Sequence, residues 1–147
     1  MSVLPDEKIV EIITKNKLVD SKELSGLVKF AKDSNQPLEE ILIEKEVVSD
    51  DKLGLALADY YKVPFINLSD IDIPDEVLNL LPDRVMRRQK ALVFAKDKSG
   101  IKIAMLDPTK QDVVEMLAIK TGLKVTAYLV TMRDLQSAMR VYQSDLQ

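Results

Sequence analysis

The sequence predicts an α+β chain: a bundle of two helical hairpins, then a small α/β subdomain with a mainly antiparallel sheet of about three strands. Three observations carry this. Apolar residues in the first part recur at helical spacing, and they do so twice, at an offset of 29 positions. The pattern changes at Val63-Pro64, where proline biases its predecessor away from helix and a short extended run, Phe65-Ile66-Asn67-Leu68, follows. Further on, two β-rich runs flank a glycine-containing turn, the pattern of a hairpin. The boundary is placed near Lys62, giving a tandem helical hairpin subdomain over 1–62 and an α/β subdomain over 63–147.

The elements follow in order. Pro5-Asp6-Glu7 opens the first helix, since proline suits a helix start and early acids suit the positive end of its dipole. Ile9, Ile12 and Ile13 share one face. Asp20 and Glu23 have capping-box spacing for the second helix, which carries Leu24, Leu27, Val28 and Ala31. Pro37 begins the third helix, with Leu38, Ile41 and Leu42 inward. Ser49 caps the fourth, with Leu53, Ala56, Leu57 and Tyr60 on one stripe. At the offset of 29, Ile9 falls on Leu38, Ile12 on Ile41, Ile13 on Leu42, Leu18 on Val47, Leu24 on Leu53 and Val28 on Leu57. Helix period alone also enforces such spacing, so chance similarity of two amphipathic hairpins is the competing reading.

In the second part, Pro74 and Pro82 each start a short helix. The runs 91–95 and 101–105 form the hairpin around Asp97-Lys98-Ser99-Gly100. Asp107-Pro108-Thr109 is a turn in which the Asp accepts backbone N–H groups. A helix over 110–121 stops at Gly122. Alternation at Val125, Ala127 and Leu129 marks a third strand, and a last helix runs over 133–142. Met105, Met116 and Met139 read as core, and Met86 and Met132 as surface. Tyr60-Tyr61 reads as one core and one boundary residue.

Composition narrows the chemistry. The 147 residues are 46% hydrophobic and 31% charged, which is globular. There is no cysteine, hence no disulfide, thiolate metal site or thiol nucleophile. There is no histidine, which removes the commonest general base and metal ligand. The adjacent acid pairs Glu39-Glu40 and Asp50-Asp51 diverge around a helix rather than converging on a proton. No catalytic residue, cofactor or metal site is expected. The formal net charge of -3 argues against nucleic acid as a partner. No apolar run reaches about 18 residues and the start is not a signal peptide, so a cytoplasmic protein without direct membrane insertion is expected. The strongest basic cluster is Arg84, Arg87, Arg88 and Lys90, read either as a solvated helix face or as a protein docking patch.

The order of "LLP" at 80–82, Arg87-Arg88, the hairpin, "AMLDPT" at 104–109, "TGLKV" at 121–125 and "VYQ" at 141–143 resembles the N-terminal domain of the hexameric ATPases that drive type II secretion and type IV pilus assembly. The segment "ALADYYKVPFINL" at 56–68 resembles that family's join between helical and α/β parts. The resemblance implies a non-catalytic regulatory or docking domain, with the ATPase core further along the parent chain. No G-x-x-x-x-G-K-[ST] phosphate loop occurs here. It implies as partners that core and the cytoplasmic domain of an inner-membrane platform protein, and a cytoplasmic place peripheral to the inner membrane through those partners.

Some members of the family bind cyclic di-GMP through tandem helical hairpins, so a sensor domain is the alternative. Their repeated motif runs Arg-Leu-Gly, Leu, a turn Gly, two leucines and Gln. Here the apolar frame matches and the polar positions differ. The second copy has Pro37, Glu39, Glu46 and Tyr60 at the Arg, first Gly, turn Gly and Gln places. The first copy has Lys8, Val10, Lys17 and Ala31. If cyclic di-GMP binds at all, the resemblance leaves Lys8 and Lys17 as its contacts.

Overall fold

Proline sets four of the eight α-helix entries among the described residues. Pro5, Pro37, Pro74 and Pro82 each stand at an N-cap with extended backbone, so φ is fixed just before the helix begins. The computed structural model describes residues 4–144, and these fall into two compact units that divide between Tyr60 and Tyr61.

The first unit is helical: α1 (Asp6–Lys15), α2 (Ser21–Ser34), α3 (Leu38–Glu44) and α4 (Asp50–Tyr61). α3 packs on both α1 and α2. The Leu38 N–H also donates to Asp6 Oδ1 at 3.1 Å, which joins the starts of α3 and α1. Ile9, Ile12, Ile13, Leu24, Leu38, Ile41, Leu42, Leu53 and Leu57 are all buried, as the 3.6-residue spacing requires. The repeat extends to the backbone. Leu18 N–H bonds Ile13 C=O, and Val47 N–H bonds Leu42 C=O. Lys17 N–H bonds Thr14 C=O, and Glu46 N–H bonds Ile43 C=O. Lys17 (φ 52) and Glu46 (φ 55) both adopt the left-handed conformation. Both hairpins therefore end their first helix with the same left-handed turn, 29 residues apart. Ser49 Oγ accepts from Lys52 N–H at 3.2 Å, a side-chain cap for α4. Asp20 stands at the N-cap of α2 but makes no side-chain cap bond, so the capping box is not formed there.

The second unit begins with an extended segment and a 3-10 turn at Leu68–Asp70, then α5 (Asp75–Leu78) and α6 (Asp83–Gln89). The sheet follows as β1 (Ala91–Asp97), β2 (Gly100–Met105), α7 (Gln111–Thr121) and β3 (Val125–Leu129), and α8 (Met132–Ser144) closes it. The order is β1-β2-β3. β1 and β2 form the expected antiparallel hairpin, from Ala91↔Met105 to Asp97↔Gly100. The sheet is mixed rather than wholly antiparallel, because β3 lies parallel to β2, from Ile101↔Val125 to Met105↔Leu129. Parallel neighbours need a crossover, and α7 supplies it. The chain before α5 also joins this sheet: Phe65 bridges Leu129 in parallel, through Ile66 N–H to Leu129 C=O and Leu129 N–H to Pro64 C=O.

The core of this unit lies between sheet and helices, with Leu92, Val93, Ile101, Ile103, Met105, Leu117 and Leu135 among its most buried members. Met86 is buried and belongs to it, against the expectation of a surface position. Met116 is exposed, against the expectation of core, and Ile119 beside it is 84% exposed. α7 has apolar residues on two sides: Val113 and Leu117 turn inward and Met116 and Ile119 outward. Tyr60 is exposed and Tyr61 half-buried, so neither is a core residue.

Candidate functional site

α6 is a short helix whose inner side is held by Met86 and whose outer side is cationic. Arg84, Arg87 and Arg88 are exposed along it. Lys90 follows in the left-handed conformation (φ 53), which ends the helix before β1. Arg87 Nε lies 2.9 Å from Asp83 Oδ2, an i,i+4 pair on an exposed face. The chain thus brings three of the four expected cations to one helix, with Lys90 just past its end, and one of them is tied to a local acid. Phe94, the aromatic closest in sequence, is buried and meets Tyr128 edge-to-face at 5.1 Å. It offers no stacking platform to a base.

The hairpin positions are less favourable to an anion. Lys8 is exposed, and its Nζ sits 3.2 Å from Glu11 Oε2. That bond raises its ammonium pKa above the ordinary lysine value. Lys17 is exposed at the left-handed end of α1. In the second copy, Glu39 is half-buried on α3. Burial pushes its carboxyl above the ordinary carboxylate range, and the adjacent Glu40 charge pushes the same way. At the other motif places, Ala31 is buried and Val10 offers only half-buried apolar surface.

Sequence reasoning missed the outer face of α7, where Met116 and Ile119 form a shallow depression with Asp112, Glu115 and Lys120. Its signal was present in Ile119, which lies off the stripe of 113, 116 and 117. Asp107 behaves as read: its Oδ1 accepts Thr109 N–H at 3.1 Å, holding the turn into α7. Among the described residues, no group of three or more His, Cys, Asp or Glu side chains is placed to hold a metal. No helix among them is long and apolar enough to cross a membrane.

Comparison with known proteins places this architecture. Residues 61–147 match the MshEN domain family, and these residues are the sheet-bearing unit. The type IV pilus assembly ATPase PilB of Thermus thermophilus is 27% identical over 135 residues, covering 89% of this chain and 15% of that protein. PilB of Myxococcus xanthus is 23% identical over 140 residues, covering 94% of this chain and 24% of that protein. This chain therefore spans a quarter or less of the relatives it matches. In fold, it is similar to a solved structure of MshE with cdg (TM-score 0.65, 23% identity, 90% of this chain and 96% of that one). It is also similar to the N-terminal domain of XpsE (TM-score 0.59, 15% identity, 95% of this chain and 97% of that one). Two hairpins, a mixed three-stranded sheet and a match over more than half the chain lead to one assignment: the chain belongs to the MshEN domain family, the N-terminal domain of type II secretion and type IV pilus assembly ATPases.

Proposed function

We propose that this domain docks a secretion or pilus motor ATPase onto its apparatus, by contact with the cytoplasmic domain of an inner-membrane platform protein. Its second partner is the ATPase core of the parent chain. The domain would then lie in the cytoplasm, peripheral to the inner membrane through these contacts, and would bind protein without turning over a substrate. The observation that carries the reading is the exposed cationic face of α6, anchored from beneath by Met86. Such a face favours an acidic protein surface, with the charges steering encounter. Hydrolysis of ATP is not expected of the domain alone, because phosphoryl transfer needs a backbone cradle, a lysine and held magnesium, and no phosphate-loop sequence is present.

A pull-down of the chain against cytoplasmic domains of the same apparatus tests this. One platform component should be retained. Arg84→Glu with Arg88→Glu should weaken its binding about tenfold or more. Failure to retain any component across the whole apparatus would end the proposal.

A second reading, a cyclic di-GMP sensor, has one observation in its favour. Both hairpins keep the left-handed turn at the motif's turn position, and the MshE structure similar in fold carries cdg. Against it, Glu39 and Glu46 place carboxylates where a diphosphodiester would approach. Each lost charge-assisted hydrogen bond removes about 1.5–3 kcal/mol. Calorimetric titration with cyclic di-GMP should show no useful affinity. Binding at about 1–10 μM that Lys8→Ala and Lys17→Ala abolish would establish the sensor instead.

A further inference from the structure

The four cations of the α6 face are not equivalent. Asp83 stands in the first turn of α6, directly after Pro82, where an acid suits the positive end of the helix. Its Oδ2 lies 2.9 Å from Arg87 Nε, one turn on, with the acid first in the chain, the favourable order for an i,i+4 pair. The other cations lack such a neighbour in the preceding turn. The positions three and four before Arg84 are Leu81 and Leu80, those before Arg88 are Val85 and Arg84, and those before Lys90 are Arg87 and Met86. Among the described residues, no ion pair is found at Arg84, Arg88 or Lys90. Arg87, by contrast, is engaged by an acid of its own helix. Both members of that pair are accessible, the Arg87 side chain being 59% exposed and that of Asp83 41%. A carboxylate arriving from outside can reach Arg87, but it meets Asp83 already there.

We propose that Asp83 is a brake built into this face: by holding Arg87 it keeps the affinity of α6 for an acidic protein surface below what four cations would give. The proposal rests on the docking reading above and names what regulates that site. Asp83 and a partner carboxylate compete for one guanidinium, and while Asp83 holds it the two charges largely cancel toward the partner. Arg84, Arg88 and Lys90 then supply the attraction. With Asp83 uncharged, Arg87 would offer its planar fork to a partner carboxylate as well. The brake is light. An exposed pair one turn apart on a helix contributes little, so a partner with several carboxylates displaces it. The pair grades docking and does not block it.

Poly-L-glutamate serves as the acidic surface, titrated into the full chain at low salt, where exposed charges are least screened. Asp83→Asn should bind it about two- to threefold more tightly than the wild type. Asp83→Asn with Arg87→Gln should return to the wild-type affinity, because the released charge is then absent. Glu115→Gln, on α7, changes the net charge equally and should leave the affinity as it is. If Asp83→Asn lowers the melting temperature, Asp83→Ser is measured in its place. A wild type that does not bind poly-L-glutamate, or that binds it as well with Arg84→Glu and Arg88→Glu in place, ends the docking reading and this proposal with it. Binding that needs Arg84 and Arg88 but gains nothing from Asp83→Asn overturns this proposal alone. A gain that Glu115→Gln matches, or that survives Arg87→Gln, overturns it too.

Discussion

At the scale of single residues, Glu39 is the group most out of keeping with its surroundings. Its carboxyl is raised by burial first and by Glu40 second. A carboxyl raised in the folded state favours folding when protonated. That contribution is complete below the ordinary carboxylate range and is lost as pH rises through the raised value. Neutral pH therefore costs the helical unit some stability at this one position. Glu39→Gln should raise the urea midpoint at about pH 7 and change it little at about pH 4. An equal shift at both pH values would assign the effect to packing instead of charge. Lys17 and Glu46 carry a different burden, since each holds a left-handed backbone with a side chain present. That conformation costs about 1–2 kcal/mol without glycine, offset in part by the freedom glycine adds to the unfolded chain. Lys17→Gly or Glu46→Gly should stabilise the helical transition by up to about 1 kcal/mol each. A loss of stability in thermal unfolding would show that these side chains hold the turns in place.

At the scale of elements, the β1–β2 hairpin depends on Gly100. It has φ 141, and an added Cβ would lie 2.3 Å from the Lys124 carbonyl oxygen. That oxygen accepts the Ile101 N–H, so the clash falls on the bond that starts the β2–β3 ladder. Gly100→Ala should cost about 2–3 kcal/mol in chemical unfolding. A cost under about 0.5 kcal/mol would mean that the strand start yields freely. The elements also mark what the sequence could disclose. Helical spacing exposed both hairpins, because Ile9, Ile12 and Ile13 and their partners Leu38, Ile41 and Leu42 must share a face. Alternation at Val125, Ala127 and Leu129 revealed β3 but not its direction, since side-chain period is the same in parallel and antiparallel pairs. Met86 and Met116 were exchanged between core and surface, because methionine is apolar in either place and α7 is apolar on two sides. The cations of α6 were legible as a cluster from spacing alone. The bridge between Phe65 and Leu129 was not, because it depends on hydrogen bonds between residues about sixty positions apart.

At the scale of the whole molecule, the chain divides between Tyr60 and Tyr61, while the family match covers the second unit alone. A piece beginning at about Val63 should keep its sheet, because that unit's core and its Phe65–Leu129 bridge lie wholly within it. A unit of this size is marginal, so a lowered melting temperature is expected. Circular dichroism checks it: loss of the β signal would mean that residues 4–60 complete the fold.

Four hydrogen bonds among the described residues fasten the stretch from Pro64 to Ile73 to the rest of its unit. Two are its bonds with Leu129. A third is Leu68 N–H to Asp134 Oδ2 at 2.6 Å, and the fourth is Ile73 N–H to the Tyr142 hydroxyl at 3.1 Å. These anchors lie on β3 and α8, and none of the four is on the β1–β2 hairpin. Tension applied along the chain at Pro64 is therefore delivered to the third strand and the last helix. Several bonds share that load in shear, so the stretch behaves as a stitched seam and not as a slack tether.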